Sequence, residues 1–352
     1  MEINRYRSGY CLPHEEATVF KKETGAGFFI TMEDIEDEKK GTLRHLLKKE
    51  IIINTSSLKK AVEVSRLIYA SLCLIDGCSC PFLFLEQDKI PKVIPLDTDE
   101  TDLTFNDFMQ ESTITISEYP LAIKIACKVS RNKRDISSLL IYKTATCIHS
   151  NSIDVLDPFI TTERIKIPQY TDDKIRMGIA IVTYYSSIDN LGFAWGGGSS
   201  VYGKSGKIHK ENRSELYRRL KKIGIKNTDT ISWNIRNKKT IVTKKKGIKG
   251  FPVGYKLPYV LDRRYTFFNA IREISWLRSS VLAHKIDQRY LESISIYDVA
   301  NANFLARRIL LQKFGFWEKY FVSEKEKKSE LRKKKKEFQK WIDSLESGIS
   351  KD

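Results

Sequence analysis

Three observations predict an α+β fold. Short runs rich in β-branched and aromatic residues, GFFITMED and EIIINT, stand early in the chain and read as strands. Longer stretches with apolar residues at helical spacing follow, one from Leu58 to Ile75 and several beyond residue 171. Charge divides along the same line: residues 1–170 carry 22 basic against 25 acidic side chains, and residues 171–352 carry 39 against 19. These features predict a mixed α+β domain over 1–170 and a mainly helical domain over 171–320. An insertion over 196–258 and a basic helical tail over 321–352 complete the expected organisation.

Taken in order, the Leu58–Ile75 helix has Ser56 and Ser57 at its start, where their hydroxyls can accept from orphan backbone N–H groups. PFLFLEQ and STITISEY are again strand-like, and Leu121–Ile148 reads as helix with a break at the polar RNKRD. Pro158, Pro168 and the TDD at 171–173 mark the boundary between the two domains. Beyond it, Ile175, Ile179, Val182, Tyr185 and Ile188 recur at helical spacing, with Asp172 or Asp173 to open the helix and Gly192 to end it. A basic helix is expected around ENRSELYRRLKKIG. A basic β-hairpin over TISWNIRNKKTIVTKKKGIKG, with Asn237 near its turn, comes next. Two further helices run from Tyr265 to about His284 and from Tyr297 to about Phe314. The second opens at Ser295 or Asp298 and closes at Gly315.

Composition narrows the function classes. Hydrophobic residues at 41% and aromatics at 11% describe a globular chain. The formal net charge of +17, all of its excess in the second half, is the footprint of a polyanion partner. Part of that charge is the tail, where Lys325–Lys340 holds nine basic residues. MEINRYRSGY has no apolar core of a signal peptide, and LIYASLCLIDG is too short to span a bilayer. The six cysteines lack framework spacing, so a reducing cytoplasm and no membrane association are expected. Cys73, Cys78 and Cys80 have no second ligand pair nearby and read as core cysteines rather than a zinc site; no metal and no cofactor is expected. His14, His45 and His149 are isolated and read as structural or surface residues.

GSSVYGKS, residues 198–205, fits the phosphate-loop pattern G-x-x-x-x-G-K-[ST] through Gly198, Gly203, Lys204 and Ser205. That chemistry needs a buried strand entering the loop and a helix starting at its Lys-Ser. LGFAWGG is too short and too rich in glycine to be that strand, and Gly206 stands where the helix should already run. Nucleotide binding through this loop is therefore kept as the lesser alternative.

A second constellation lies on the helix FFNAIREISWLRSSVLAHK. At 100° per residue, Phe267, Ile271, Ile274, Val281 and Leu282 all fall within about 60° of Arg278. An arginine in the middle of an apolar stripe must pair with an acid, sit at a seam or line a polar pocket. His284 follows six residues later, at the helix end. The plain structural reading is an Arg–carboxylate pair with His284 as a C-terminal cap.

Arg278-SSVLA-His284 resembles the arginine-to-histidine hallmark of the higher eukaryotes and prokaryotes nucleotide-binding (HEPN) domains, which are helical bundles found in bacterial defence and toxin proteins. SSIDNLGF resembles the end of an upstream family helix, with Asp189 at its acidic place, and YDVANANFLARRILLQKFGFW resembles the apolar, basic helix that follows the motif. The resemblance covers about residues 172–320. It departs from the family's frequent pattern at Ser279 and Lys285, where many members have Asn and Gly. What it implies is a HEPN-like bundle and metal-independent RNA cleavage. His284 would serve as general acid/base, Arg278 would stabilise charge on the phosphate, and Asp189 would stand with them as the third site residue.

The resemblance further implies a homodimer with paired sites; as a toxin or antiviral effector, the chain is expected to be sensed or restrained by its first domain or by a regulatory partner protein. Arg272, Lys285, Arg289, Arg307 and Arg308, with Lys244, Lys245 and Lys246 of the hairpin, are the candidate phosphate contacts. The competing reading is a non-catalytic nucleic-acid-binding or dimerisation module.

Overall fold

The computed structural model describes residues 3–12, 22–34, 49–77, 84–87, 90–95, 118–153, 169–193, 210–242, 256–281 and 294–320. Its architecture is α+β. A six-stranded antiparallel sheet is built from β1 (Asn4–Leu12), β2 (Lys22–Gly25), β3 (Phe28–Asp34), β4 (Lys49–Thr55), β5 (Phe84–Gln87) and β6 (Ile90–Pro95), in the spatial order β2-β3-β4-β1-β5-β6. Helix α1 (Leu58–Asp76) follows β4, and α2 (Glu118–Val129) and α3 (Lys133–Ile153) follow the sheet. The second half holds α4 (Gln169–Asp189), α5 (Lys210–Lys222), the hairpin β7 (Thr230–Val242) with β8 (Lys256–Thr266), α6 (Phe267–Val281) and α7 (Ile296–Phe314).

The local reasons are visible in the residues. In β3 and β4, Ile30 pairs with Ile53 and Met32 with Ile51, which puts Phe28, Ile30, Ile51 and Ile53 on one face of the sheet, all buried. Ile52, on the opposite face, is buried as well, which explains why EIIINT reads as a continuous apolar run. The Ser57 hydroxyl accepts from the Lys60 N–H at the start of α1, and Gly77 closes the helix at φ 84°, a conformation that glycine adopts without a Cβ penalty. Helix α7 opens with a capping box between Ser295 and Asp298 and ends at Gly315.

The buried residues form one contiguous core that does not stop near residue 170: it runs from Phe28 and Ile53 through α1 and α2 to Tyr184, Ile271, Leu310 and Tyr320. Polar ties stitch the same seam. Asn303 of α7 accepts from the Tyr142 hydroxyl at 2.5 Å and donates to the Gly77 carbonyl at 2.6 Å. Arg307, one turn on, donates to the carbonyls of Leu74, at 2.9 Å, and Ile75, and to the Tyr320 hydroxyl. Buried Lys174 of α4 donates to the Ile294 carbonyl just before α7.

Several expectations need adjusting. The hairpin does not turn at Asn237: β7 runs through it to Val242 and pairs with β8, Thr230 opposite Thr266 and Val242 opposite Lys256. The ladder loses register between Arg236 and Thr240, so the polar NKK is an irregularity within a strand and not a loop. Tyr265 belongs to β8, and the helix begins at Phe267. Glu118 and Tyr119, read as the end of a strand, open α2, while the STITIS before them lies outside the described residues. Helix α4 starts at Gln169, ahead of Asp172, and its buried side is Met177, Ala180, Ile181, Tyr184, Tyr185 and Ile188, with Ile179 exposed. Of the expected stripe, Tyr185 and Ile188 are buried while Ile175 and Val182 are only half-buried, because three packed helices bury a side of α4 rotated from it, through Met177, Ala180, Ile181 and Tyr184.

Candidate nucleic-acid and active site

Arg278 lies in the last turn of α6, and its Nη1 stands 3.5 Å from Oδ2 of Asp189, at the end of α4. Eighty-nine residues separate the two in sequence. The guanidinium also sits over the ring of Tyr185, 5.1 Å from its centroid, and the Tyr185 hydroxyl lies 3.3 Å from Oγ of buried Ser275. Helix α6 therefore presents Ser275 and Arg278, one turn apart, to Tyr185 and Asp189 of α4, one turn apart. The acid that the Arg278 position called for is Asp189, the residue at the acidic place of SSIDNLGF.

The end of α4 fixes this arrangement. Gly192 at φ 82° turns the chain back, with its N–H on the Asp189 carbonyl at 2.7 Å and the Phe193 N–H on the Ile188 carbonyl at 3.0 Å. Asp189 is thereby held in an exposed final turn, where the helix dipole disfavours an anion. Two cations offset it. Arg278 reaches the carboxylate, and Arg219 of α5 donates to the Gly192 carbonyl at 2.6 Å. The Arg278 and Asp189 side chains remain 40% and 46% exposed, so the pair itself contributes no more than about 1 kcal/mol to stability. It leaves a positioned guanidinium facing solvent, able to exchange its carboxylate partner for a phosphate.

The other sequence candidates separate into three groups. His284, Lys285, Arg289, Lys244, Lys245 and Lys246 lie outside the described residues, as do Gly198, Gly203, Lys204 and Ser205. Arg272 is described and exposed on α6. Arg307 and Arg308 are engaged within the fold. Arg307 holds the C-terminal carbonyls of α1. Arg308 lies over Trp317, 3.4 Å from the ring centroid, and 5.9 Å from that of Phe267; burial brings its guanidinium down to about 10. Neither is placed as a surface phosphate contact would be.

His149 is buried, with Nδ1 3.1 Å from the Tyr184 hydroxyl, and desolvation lowers its ring to about 4. It is a neutral packing residue. Among the described residues no three His, Cys, Asp or Glu side chains gather as a metal site would require, and no helix is long and apolar enough to cross a membrane.

Sequence reasoning counted Tyr185 only as a helix-face residue and missed Ser275, and it missed the arginine-covered aromatic pair where α5 meets α6. Tyr217 of α5 stacks on Phe268 of α6 with centroids 4.9 Å apart, and Arg213 lies over both rings at 5.5 and 5.1 Å. The i, i+4 spacing of Arg213 and Tyr217 was the available signal. Comparison with protein-family models, with curated proteins and with solved structures finds no match.

Proposed function

We propose that the chain is a metal-independent RNA endonuclease of the HEPN type, a toxin or antiviral-defence effector working as a cytoplasmic homodimer. The observation that supports this most is the Arg278–Asp189 pair: two residues singled out by separate sequence features meet at a solvent-facing seam of the strongly basic half. In this reading His284, six residues beyond Arg278, takes the proton from a ribose 2′-hydroxyl as the oxygen attacks the adjacent phosphorus. The 5′-oxygen leaves on the opposite side of the phosphorus and takes its proton from water, giving a 2′,3′-cyclic phosphate and a 5′-hydroxyl, and His284 then returns its proton to solvent. Arg278 neutralises the charge gathering on the phosphoryl oxygens, and Asp189 with the Tyr185 ring holds the guanidinium until RNA arrives. The first half of the chain, or a regulatory partner protein, restrains the activity.

The test is incubation of the purified protein with total RNA and with a tRNA mixture in EDTA. Wild type should cleave, while Arg278→Ala and His284→Ala, with unchanged circular dichroism, should not. A second reading, a non-catalytic RNA-binding or dimerisation module, is favoured by the engagement of Arg278 with Asp189 and Tyr185, which is also how a packing pair would look. It expects RNA retention without cleavage and no effect of His284→Ala.

A further inference from the structure

We infer that the exposed side of α5, together with the start of α6, is the docking surface for single-stranded RNA. The inference rests on the nuclease reading only for its orientation toward Arg278. Leu216 and Leu220 bury one side of α5, and Arg213, Arg218, Lys221 and Lys222 are left exposed on the rest. From residue 213 to 226 the chain carries six basic side chains against one acid, Glu215. That acid is spent on its neighbours: hydrogen bonds from Arg218 and Arg219 bring its carboxyl down to about 2. Among the described residues no carboxylate pairs with Lys221, Lys222 or Arg213.

The chemistry favours a single strand over a duplex. Arg213, Tyr217 and Lys221 follow one another at intervals of four, so they form one row along the helix. In that row the Arg213 guanidinium covers the Tyr217–Phe268 stack and its Nη2 reaches the Tyr217 hydroxyl at 3.3 Å, leaving its outer side to solvent. A guanidinium backed by two rings is a stacking platform for an unpaired base, and the lysines beside it suit the phosphates on either side. The surface also leads to the site. Arg219 of the same helix holds the Gly192 carbonyl, three residues from Asp189.

The experiment measures fluorescence anisotropy of a short 5′-labelled single-stranded RNA with the full chain in EDTA across a salt series, and follows cleavage of the same RNA in parallel. Lys221→Glu/Lys222→Glu should weaken binding at least about tenfold and reduce the salt slope by about 1.4, two phosphate contacts at roughly 0.7 each. Arg213→Ala should weaken single-stranded RNA about tenfold and a duplex of the same length far less, as loss of one stacked base requires. Lys59→Glu/Lys128→Glu, an equal charge change on exposed residues of α1 and α2, should leave binding unchanged.

Unaltered affinity in the α5 variants overturns the inference, as does equal weakening by the control pair, equal loss of duplex binding in Arg213→Ala, or no RNA binding by wild type. Cleavage by wild type with α5 variants that bind normally would sink the docking surface and leave the nuclease standing. Binding lost in the α5 variants with no cleavage by wild type would do the reverse. Melting curves of each variant confirm that the exposed substitutions leave the fold intact.

Discussion

Replacing Arg307 by alanine removes the residue that finishes helix α1 from outside. Its guanidinium donates to the carbonyls of Leu74 and Ile75 and to the Tyr320 hydroxyl, and covers the Tyr320 ring at 4.6 Å. Each hydrogen bond from a charged donor to a carbonyl is worth about 1.5 kcal/mol, and its loss leaves a part-buried acceptor without a partner. The cation over the ring adds about 0.5 to 1 kcal/mol, and its place at the negative end of α1 about 0.5 kcal/mol more. Allowing for water reaching the vacated carbonyls, the expected loss is about 3 kcal/mol. With a urea slope of about 3 kcal/mol/M for a chain of this size, the unfolding midpoint should fall by about 1 M.

Arg307→Lys keeps the charge but cannot fork to two carbonyls, so it should recover less than half of the loss. RNA affinity of the still-folded variant should equal that of wild type. A midpoint shift below about 0.3 M together with weakened RNA binding would refute this reasoning and return Arg307 to the nucleic-acid surface.

Gly77→Ala acts on the same joint: at φ 84° an alanine is strained, and its Cβ would lie 2.7 Å from Nη1 of Arg307, so a loss of about 1 to 2 kcal/mol beyond ordinary surface substitutions should appear in the same urea melts. His149, held to about 4 when folded against 6.5 unfolded, takes up its proton more readily in the unfolded chain. Stability should therefore drop as pH falls from about 6.5 to about 4, by something on the order of 3 kcal/mol from this group. His149→Gln should flatten that part of the pH–stability curve. Asp189→Asn should preserve the fold, since the pair is half exposed, but should reduce RNA cleavage by roughly ten- to a hundredfold through a less firmly held Arg278.

Legibility followed the range of the forces involved. The limits of α1 and α7 could be read from Ser57, Ser295, Asp298 and the glycines at 77 and 315, because caps are local chemistry. Strands β3 and β4 announced themselves by composition. The path of β7 through Asn237 did not: a polar triplet reads as a turn unless its partner strand is known, and β8 begins beyond residue 255. Strand β1, NRYRSGYCL, lacks an apolar run and draws its place from pairing with β4 and β5.

The site was half legible. Arg278 stood out because a charge in an apolar stripe demands a partner, and Asp189 came from a motif, but only the packing of α6 on α4 brings them within 3.5 Å. Arg307 misled because its acceptors are backbone carbonyls more than two hundred residues upstream, which no side-chain pattern records.

The central claim is that a positioned Arg278 and His284 cleave RNA, and the most direct measurement is the chemistry of the product ends. RNA incubated with wild type in EDTA should yield 5′-hydroxyl and 2′,3′-cyclic phosphate ends, visible as fragments labelled by polynucleotide kinase without prior dephosphorylation. Arg278→Ala and His284→Ala should give none while still folded. Intact RNA in the wild-type lane, or the same fragments from His284→Ala, would contradict it.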